Sequence, residues 1–488
     1  MSLATRNPIA RVNGKIIAYW QTVGTRYLPF ADAATADLPL SRLMRLSMFQ
    51  WSIGMAAVLL TGTLNRVMIV ELGVPTSLVA LVVAIPVLAA PLRALIGYRS
   101  DTYKSVLGWR RVPYIWLGTM LQFGGLAIMP FALLLLESQT VGPQWAGPVG
   151  ACLAFLLTGL GMHMAQTAGL ALATDLAAEE TRPRVVALMY VMLLVGMLVA
   201  ALAFSWLLAD FSALRLIQVV QGSAALTVII NVICLWKQEP RNAVATRADR
   251  DVPSFREALA LYRSDKGTTR LLTAVALGSA GFAMQDVLLE PYGGEVLHLS
   301  VSQTTMLTAI WSCGTLLGFA HAGRALGKGR DMYRLAASGL LVGIVGFSAI
   351  VFADPLQSAN LFRAGTALIG FGAGLFAVCT MLAAMALAER SDHGLAIGAW
   401  GAVQATSIGI GLAMGGVIRD LVNSAVGSSG HGALVAPAAG YGIVYHLEIA
   451  LLFVGLACIG PLVGRQTSYR NANGQSGARQ FGLAELPG

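Results

Sequence analysis

Apolar residues occur along this chain in runs of about 20, and short polar segments separate one run from the next. A helix rises about 1.5 Å per residue, so each run is long enough to cross a bilayer core of about 30 Å. The pattern predicts twelve membrane-spanning helices. They are expected at residues 46–65, 75–96, 113–136, 148–172, 185–209, 216–236, 271–290, 303–321, 333–352, 361–387, 395–418 and 441–463.

Composition supports this interpretation, because 56% of the 488 residues are hydrophobic and only 12% are charged. Soluble globular domains carry about twice that share of charge. We therefore predict an all-α integral membrane protein.

The order of the spans predicts two six-helix halves, at 46–236 and 271–464. Before the first half lies a segment with apolar residues at helical spacing from Ile9 to Tyr27, which indicates a helix in the membrane interface or, alternatively, an irregular basic tail. The remaining parts are expected to be a cytoplasmic N-terminal segment, a linker and a tail, at 1–45, 237–270 and 465–488. Within the linker, Pro253 to Arg263 is predicted to form a short surface helix.

Lysine and arginine are unevenly distributed between the alternating loops. Most lie on the side that holds both termini, and the loops of the other side contain only Arg66, Arg215, Arg363 and Arg419. Positive residues are retained in the cytoplasm, so both termini are predicted to be cytoplasmic. The net charge of +9 then reflects loops that face anionic lipids, and we expect membrane lipids but no nucleic acid as partners.

No catalytic or metal-binding motif stands out. All five cysteines lie within predicted spans without a C-x-x-C pair, and they are expected to be packing residues. No phosphate-binding loop and no convincing nucleophile and base set are present in the sequence. We expect no catalytic site, no metal site and no enzyme activity.

A basic, glycine-containing loop follows the second span of each half. In the first half it contains Gly97, Asp101, Gly108, Arg110 and Arg111. These residues resemble the signature loop of the major facilitator superfamily, G-x-x-x-D-R-x-G-R-R, although Thr102 replaces an arginine and extra residues precede Gly108. The resemblance implies a conformational latch.

Three stretches carry more specific information. They are Arg93 to Trp116, Met162 to Ala177 and Gly281 to Leu297. Together they closely resemble the PucC/LhaA group, the bacteriochlorophyll-delivery branch of the facilitator superfamily. The resemblance covers nearly all twelve predicted spans, and Gln285 to Val296 is its most specific part. The long N-terminal segment and the C-terminal tail are more similar to LhaA than to PucC.

This resemblance implies a purple-bacterial assembly factor in the inner, intracytoplasmic photosynthetic membrane. Such a protein delivers bacteriochlorophyll to antenna polypeptides, here those of the core antenna around the reaction centre. Its expected partners are these polypeptides, bacteriochlorophyll and the reaction-centre core complex. Two alternatives remain: a proton-coupled secondary transporter of a small or amphipathic solute, and a structural subunit in a gap of the antenna ring.

His163 is predicted near the middle of the fourth span, where an ionisable side chain is costly unless it has a partner or a function. Gln166 and Thr167 follow at i+3 and i+4 on the same helix face. A neutral imidazole can ligate the magnesium of a chlorin, so the three residues are candidates for binding bacteriochlorophyll. The competing interpretation is a hydrogen bond between helices.

Asp286 and Glu290 are expected one turn apart on the seventh span, beside Gln285 and ahead of a Pro291-Tyr-Gly-Gly segment that would end the helix. Two carboxylates at this spacing repel each other, so protonation, a cation or a partner is expected. The three residues are candidates for bacteriochlorophyll binding, with structural pairing and proton coupling as alternatives. Glu448 and His446 are weaker candidates for the same roles.

Two further features have ordinary explanations. The charged residues from Asp175 to Arg184 are expected to form a solvated turn with local ion pairs. Most of the 54 glycines lie inside spans, where they either let helices approach closely or leave grooves for a flat ring and its tail.

Overall fold

The computed structural model describes residues 38–89, 96, 100, 109–136, 143, 145–178, 181–240, 266–388, 393–428 and 436–463. Within these ranges the chain is helical and contains no β-strand, so the all-α fold class is confirmed. We number twelve helical segments in chain order: α1 Leu40–Glu71, α2 Thr76–Leu88, α3 Val112–Leu136, α4 Ala146–Leu176, α5 Arg182–Leu207, α6 Ala213–Leu235, α7 Lys266–Glu295, α8 Val301–Gly327, α9 Met332–Ala353, α10 Ala359–Ala388, α11 His393–Ser428 and α12 Ala436–Ile459.

Ten of the described helices are long and apolar enough to cross a membrane. α2 is apolar but shorter, with 13 described residues, and α8 carries more polar side chains. The protein is therefore a multi-pass membrane protein. We call the side where α1 begins and α12 ends the termini face, and the other side the opposite face.

Several helices extend beyond their predicted spans. α1 begins at Leu40 and ends at Glu71, and α11 reaches Ser428, whereas the apolar pattern ended at residues 65 and 418. The pattern detects the apolar stretch that suits lipid, but backbone hydrogen bonding continues through polar residues outside it.

The predicted interfacial helix between Ile9 and Tyr27 and the predicted surface helix from Pro253 lie outside the described residues.

α1 through α6 form the N-half and α7 through α12 form the C-half. Side chains such as Leu64 and Phe155 are fully buried in the N-half, and Phe347, Phe376 and Tyr445 are buried in the C-half. The apolar packing of the N-half also includes Val287, Val301, Ala309 and Leu412 from the C-half. The halves are thus joined by continuous packing, in addition to polar contacts.

α11 lies between α2 of the N-half and α7 of its own half, and glycines make both contacts close. A Cβ atom on Gly416 would lie 2.3 Å from Ala80 Cβ, and one on Gly409 would lie 2.7 Å from Leu88 Cδ2. Towards α7, a Cβ on Gly415 would lie 2.7 Å from the Met284 carbonyl oxygen. At these positions the glycines permit helix packing, as small residues commonly do in membranes.

The second contact between the halves joins α5 to α8. Near the opposite face, Ser205 Oγ donates to the Ser302 carbonyl oxygen at 2.9 Å. Thr63 of α1 and Thr305 of α8 also approach each other, with 3.2 Å between their hydroxyl oxygens. These hydrogen bonds hold the two halves together on the side away from the termini.

Candidate functional site

α7 is not a continuous α-helix. Its first segment ends at Ala283, a 3-10 turn covers Met284–Asp286, and a second α-helical segment runs from Leu289 to Glu295. Pro291 does not itself end the helix, because it lies in the first turn of the second segment, but that segment ends at Glu295, directly after the two glycines. Proline is tolerated in a first turn, since the first N–H groups of a helix have no partner within the helix.

The interruption also changes the geometry of the two carboxylates. Asp286 belongs to the 3-10 turn and Glu290 to the segment that follows it, so the prediction of one regular helix face was wrong. Gln285 is 1% exposed, and its Nε2 donates to the Asp286 carboxylate. Gln285 Oε1 is buried without a hydrogen-bond partner, and Asp286 is half-buried.

Glu290 contacts both neighbouring helices, α8 and α1. It is 3% exposed, and its Oε1 accepts a hydrogen bond from Thr308 Oγ1 at 2.7 Å. On the α1 side, a Cβ atom on Gly62 would lie 2.4 Å from the same oxygen. Gly62 belongs to a π-helical segment of α1, Leu59–Thr63, so irregular stretches of α1 and α7 face each other between the halves. Such segments often mark functional positions.

The structure separates the two weaker candidates on α12. Glu448 is fully buried, and neither of its carboxylate oxygens has a hydrogen-bond partner. It lies beside the backbone of Gln285 and interacts electrostatically with Asp286. His446 is exposed, and its Nδ1 lies 2.7 Å from the Gly442 carbonyl oxygen of its own helix. Glu448 therefore belongs with the α7 residues, and His446 does not.

His163, Gln166 and Thr167 lie in the N-half, apart from the α7 set. His163 Nε2 is 3.0 Å from the carbonyl oxygen of Pro86 on α2, which is a hydrogen bond between helices. Thr167 Oγ1 donates to the His163 carbonyl oxygen at 2.7 Å, within α4. Gln166 is buried at 7% exposure. The hydrogen bond of Thr167 thus stays within α4, whereas that of His163 links α4 to α2.

Of the five predicted latch residues, the structure describes Arg110 and Arg111, whereas Gly97, Asp101 and Gly108 lie outside the described residues. Both arginines pair with Asp175 Oδ2, from Arg110 Nη2 at 2.9 Å and from Arg111 Nε at 3.0 Å. The expectation of local ion pairs was therefore wrong for Asp175, whose partners lie 64 and 65 positions away. These pairs connect the end of α4 to the beginning of α3.

Glu239, which the sequence did not single out, lies at the same end of α3. Its carboxylate accepts the backbone N–H groups of Arg110, Arg111 and Val112, with the first and last at 2.6 and 2.8 Å. A negative charge at the beginning of a helix satisfies free N–H groups and the helix dipole. Because Glu239 is more than 120 positions away in sequence, no local pattern predicts this cap.

A second charged cluster joins the halves at the opposite face. Arg419 of α11 pairs with Glu295 of α7, and its Nη1 donates to Thr76 Oγ1 of α2 at 2.6 Å. Its guanidinium also lies 4.8 Å from the centre of the Tyr441 ring. Next to it, Asp420 Oδ2 accepts the backbone N–H of Ser77 at 2.6 Å. These contacts close the opposite face between α2, α7 and α11.

Arg419 and Arg66 were expected in loops, and the structure corrects this. Both lie within helices, with side chains 12% and 6% exposed. Arg66 pairs with Glu71 and donates from Nη2 to the Leu299 carbonyl oxygen of the C-half at 3.3 Å. An arginine at the end of an apolar run was the signal that could have identified them, since buried charges in membranes are retained for a partner.

A groove on the side of the N-half has a volume of about 830 Å³. It lies between α1, α5 and α6, and most of its lining is apolar. Trp51 and Trp206 are part of that lining, and the ion pair between Asp210 and Arg215, at 3.2 Å, lies at its end near the opposite face. Trp206 is 77% exposed, so the groove opens sideways, towards lipid.

The chain has the fold of major facilitator transporters. A bacterial homologue of the iron transporter ferroportin, in an inward-facing state, superposes with a TM-score of 0.65 at 14% identity, over 87% of this chain and 98% of that one. The nucleoside transporter NupG superposes with a TM-score of 0.62 at 14% identity, over 86% and 99%. At this identity the likeness concerns the fold alone.

Sequence relatives are much closer. A Rhodobacter capsulatus protein described as an uncharacterized protein in the puhA-bchM intergenic region is 54% identical over 94% of this chain and 97% of its own length. Protein PucC of Rhodovulum sulfidophilum is 57% identical over 82% of this chain and 90% of its own length. The bacteriochlorophyll synthase 44.5 kDa chain of Rhodobacter capsulatus is more distant, at 28% identity over 85% and 93%.

The family model described as "PUCC protein" matches residues 63–467. The match includes α2 through α12, the broken α7, the fully buried Glu448 and the arginines at both faces. With relatives at about half identity over most of the chain, it shows that this chain belongs to the PucC protein family.

Proposed function

We propose that this protein assists the assembly of a light-harvesting complex by binding bacteriochlorophyll within the bilayer and delivering it to antenna polypeptides. Membership in the PucC family supports the role in light-harvesting complex assembly. The proposed recipients are the polypeptides of the core antenna around the reaction centre, in the photosynthetic inner membrane. The work is binding and transfer without covalent chemistry, in keeping with a non-enzyme membrane protein.

The observation that carries the pigment part of this proposal is the groove between α1, α5 and α6. Ligand pockets measure roughly 300–1,000 Å³ and are mostly apolar with a few polar groups. The groove, at about 830 Å³, has this size and character, and it opens towards lipid. A flat macrocycle with an apolar tail could enter from the bilayer and leave towards a neighbouring transmembrane helix without crossing the membrane.

Filling the groove tests this directly. A Cβ atom on Gly222, which lines the groove, would meet no atom within 4 Å, so the side chain of Gly222→Phe begins in open space at the groove wall. We expect Gly222→Phe to reduce co-purifying bacteriochlorophyll by about tenfold, the effect of losing about 1.4 kcal/mol of binding. Pigment is measured by near-infrared absorption of protein purified from native membranes.

Gly124 on α3 provides the matched control, since a Cβ atom there would also meet no atom within 4 Å. Gly124→Phe should retain pigment at the level of the unmodified protein. Equal retention by Gly222→Phe would place the pigment elsewhere, and colourless unmodified protein would contradict pigment carriage altogether.

The residues predicted from sequence remain candidates for pigment contact. His163 Nε2 forms a hydrogen bond with the Pro86 carbonyl oxygen. In many metal-binding histidines, a hydrogen bond from one ring nitrogen to a backbone carbonyl orients the ring, and the other nitrogen binds the metal. If His163 contacts the magnesium, His163→Leu should lower bound pigment while the amount of protein is unchanged. Unchanged pigment in this variant would leave His163 as a link between α4 and α2.

The main rival is a proton-coupled secondary transporter that uses Asp286 and Glu290. The burial of Glu290 between α1, α7 and α8 is the observation that favours it. Colourless protein with proton-driven solute uptake in proteoliposomes would support the rival.

In cells, Asp286→Ala or Glu290→Ala should lower the antenna absorption band more than the amount of this protein if the assembly role is right.

We further propose that both termini are cytoplasmic. The charge difference between the loops of the two sides supports this orientation. Reporters placed after Gly488 or between Val244 and Asp251 should then report the cytoplasm, and one near Ser428 should report the periplasm. Opposite signals would overturn the orientation.

A further inference from the structure

The break in α7 collects oxygen atoms that lack hydrogen-bond donors. Gln285, in the 3-10 turn, is 1% exposed, and its Oε1 has no partner. Its Nε2 is already used by the Asp286 carboxylate. The amide N–H group of Gln285 is therefore occupied, while its buried oxygen has no hydrogen-bond donor. Such a buried oxygen is unfavourable unless a positive group binds it.

α12 brings a second unpartnered group to the same place. Glu448 is fully buried, and neither carboxylate oxygen has a side-chain hydrogen-bond partner; the backbone of Gln285 is the polar group beside it. The charged side chain that acts on it is Asp286, which is also an acid. For Asp286 and Glu448, no basic side chain within the described ranges offsets the charge.

Aromatic rings close the cluster on the α12 side. Tyr445, one turn before Glu448, is fully buried, and its hydroxyl also lacks a partner. Its ring packs at 5.4 Å from Tyr292 and 6.2 Å from Phe347, measured between ring centroids. The aromatic packing restricts access of bulk water to this side of Glu448.

The other two acids of α7 have side-chain partners. Glu290 accepts a hydrogen bond from Thr308, and Glu295 is paired with Arg419. A buried carboxylate without a hydrogen bond or an opposite charge costs several kcal/mol, so it requires a proton or a bound cation. The excess of acceptor oxygens around Gln285 and Glu448 favours the cation.

We propose that Gln285, Asp286 and Glu448 bind an alkali-metal cation of the Na⁺ type at the break in α7. The available ligands are all oxygens, which suit hard cations and not zinc or copper. Within the described residues, no group of three or more His, Cys, Asp or Glu side chains is arranged to hold a metal ion. Interrupted membrane helices also supply backbone carbonyls to such ions.

The charges are consistent with a monovalent ion. Asp286 accepts a hydrogen bond from Gln285, so the amide stabilises its charge. One bound positive charge then balances the fully buried Glu448.

The cation would also set the position of α7 relative to the N-half. Gly415 of α11 packs closely on the Met284 carbonyl oxygen at the break, and Gly416 packs on Ala80 of α2. A change in the turn at Met284–Asp286 is therefore transmitted through α11 to the other half. This site does not depend on the proposed pigment, and each can be measured without the other.

Equilibrium binding of ²²Na⁺ to the purified full-length protein, with choline chloride maintaining the ionic strength, tests the proposal. We expect saturable binding and a higher unfolding temperature in NaCl than in choline chloride. Glu448→Gln removes the charge but keeps the shape, and it should weaken binding by at least about tenfold. Asp286→Asn provides a second variant if Glu448→Gln does not fold.

His446→Gln is the matched control, because His446 lies two residues from Glu448 on the exposed side of α12. It should bind Na⁺ like the unmodified protein. Absence of saturable binding to folded protein would overturn the proposal. So would undiminished binding by both carboxylate variants, or an unfolding temperature that responds to pH but not to Na⁺.

Discussion

In the N-half, Asn231 of α6 connects three helices through hydrogen bonds, whereas in the C-half Glu448 of α12 has none. Asn231 Nδ2 donates to Thr119 Oγ1 at 2.9 Å, and its Oδ1 accepts from Ser52 Oγ at 3.0 Å. Gln122 extends this network by donating to the Ser52 carbonyl oxygen at 2.8 Å. Within the network, Gln122 Oε1 is the atom without a partner, and it is uncharged.

The difference indicates two uses of buried polarity. The N-half network is neutral and supplies its own donors, so it can hold α1, α3 and α6 together without a ligand. The cluster at the α7 break is acidic and short of donors, which is unfavourable for packing alone. The Asn231 network and the cluster at the α7 break therefore differ in what they need from outside the chain.

Asn231→Leu should have the largest effect, because it removes both cross-helix hydrogen bonds of the N-half network. Such bonds contribute about 0.6 kcal/mol each on average in membranes, with a maximum of about 1.7, so we expect destabilisation of about 1–2 kcal/mol. Unfolding in mixed SDS micelles measures it. An unchanged unfolding midpoint would show that the network is dispensable.

Gly62→Ala should have a somewhat smaller effect, about 1 kcal/mol. The added Cβ lies 2.4 Å from Glu290 Oε1, so it displaces the carboxylate from Thr308 while the helices stay in place. The same micelle assay applies, with Gly124→Ala as the control in open space. If both alanine variants are equally stable, Glu290 and Thr308 contribute little to the seam between the halves.

Glu448→Met distinguishes the two halves by the sign of the effect. In sodium-free buffer it should leave stability unchanged or raise it by up to about 1 kcal/mol, since apolar replacements of buried charges are often neutral or stabilising. In NaCl the unmodified protein should become the more stable of the two. Destabilisation by Glu448→Met of equal size in both buffers would make Glu448 a packing residue like Asn231.

Thr167→Val should have the smallest effect, within about 0.5 kcal/mol of the unmodified protein. Its hydroxyl bonds to the His163 carbonyl oxygen of its own helix, so removing it breaks no contact between helices. Measuring bound pigment in the same variant also tests the predicted pigment role. A loss of pigment at unchanged stability would support that role.

The sequence predicted the twelve helices because lipid requires long apolar stretches, and that requirement is visible in composition. It did not predict the 3-10 turn at Met284–Asp286 or the π-helical segment Leu59–Thr63. These irregularities depend on which backbone groups bond to each other. The hydrophobic pattern does not encode that choice, since apolar residues suit either geometry.

Site residues were predictable to the extent that their chemistry is unusual in a membrane. Gln285, Asp286 and Glu290 stood out as polar residues at the end of an apolar run, and they lie at the break. Glu448 was a weaker candidate, because its sequence neighbours do not show its surroundings. Those surroundings form only when α12 packs against α7. The cap formed by Glu239 was missed for the same reason, since its partners come from a distant part of the chain.

The contact between α2 and α11 has a consequence for biosynthesis. Thr76 and Arg419 are separated by 343 positions, and ribosomes add about 5–20 residues per second. α2 therefore remains in the membrane for roughly 20–70 s before α11 is made. During that interval the surface around Ala80 is available to lipids, to membrane chaperones or to α2 of another nascent chain. Completion of the opposite face is thus one of the last steps in the maturation of this protein.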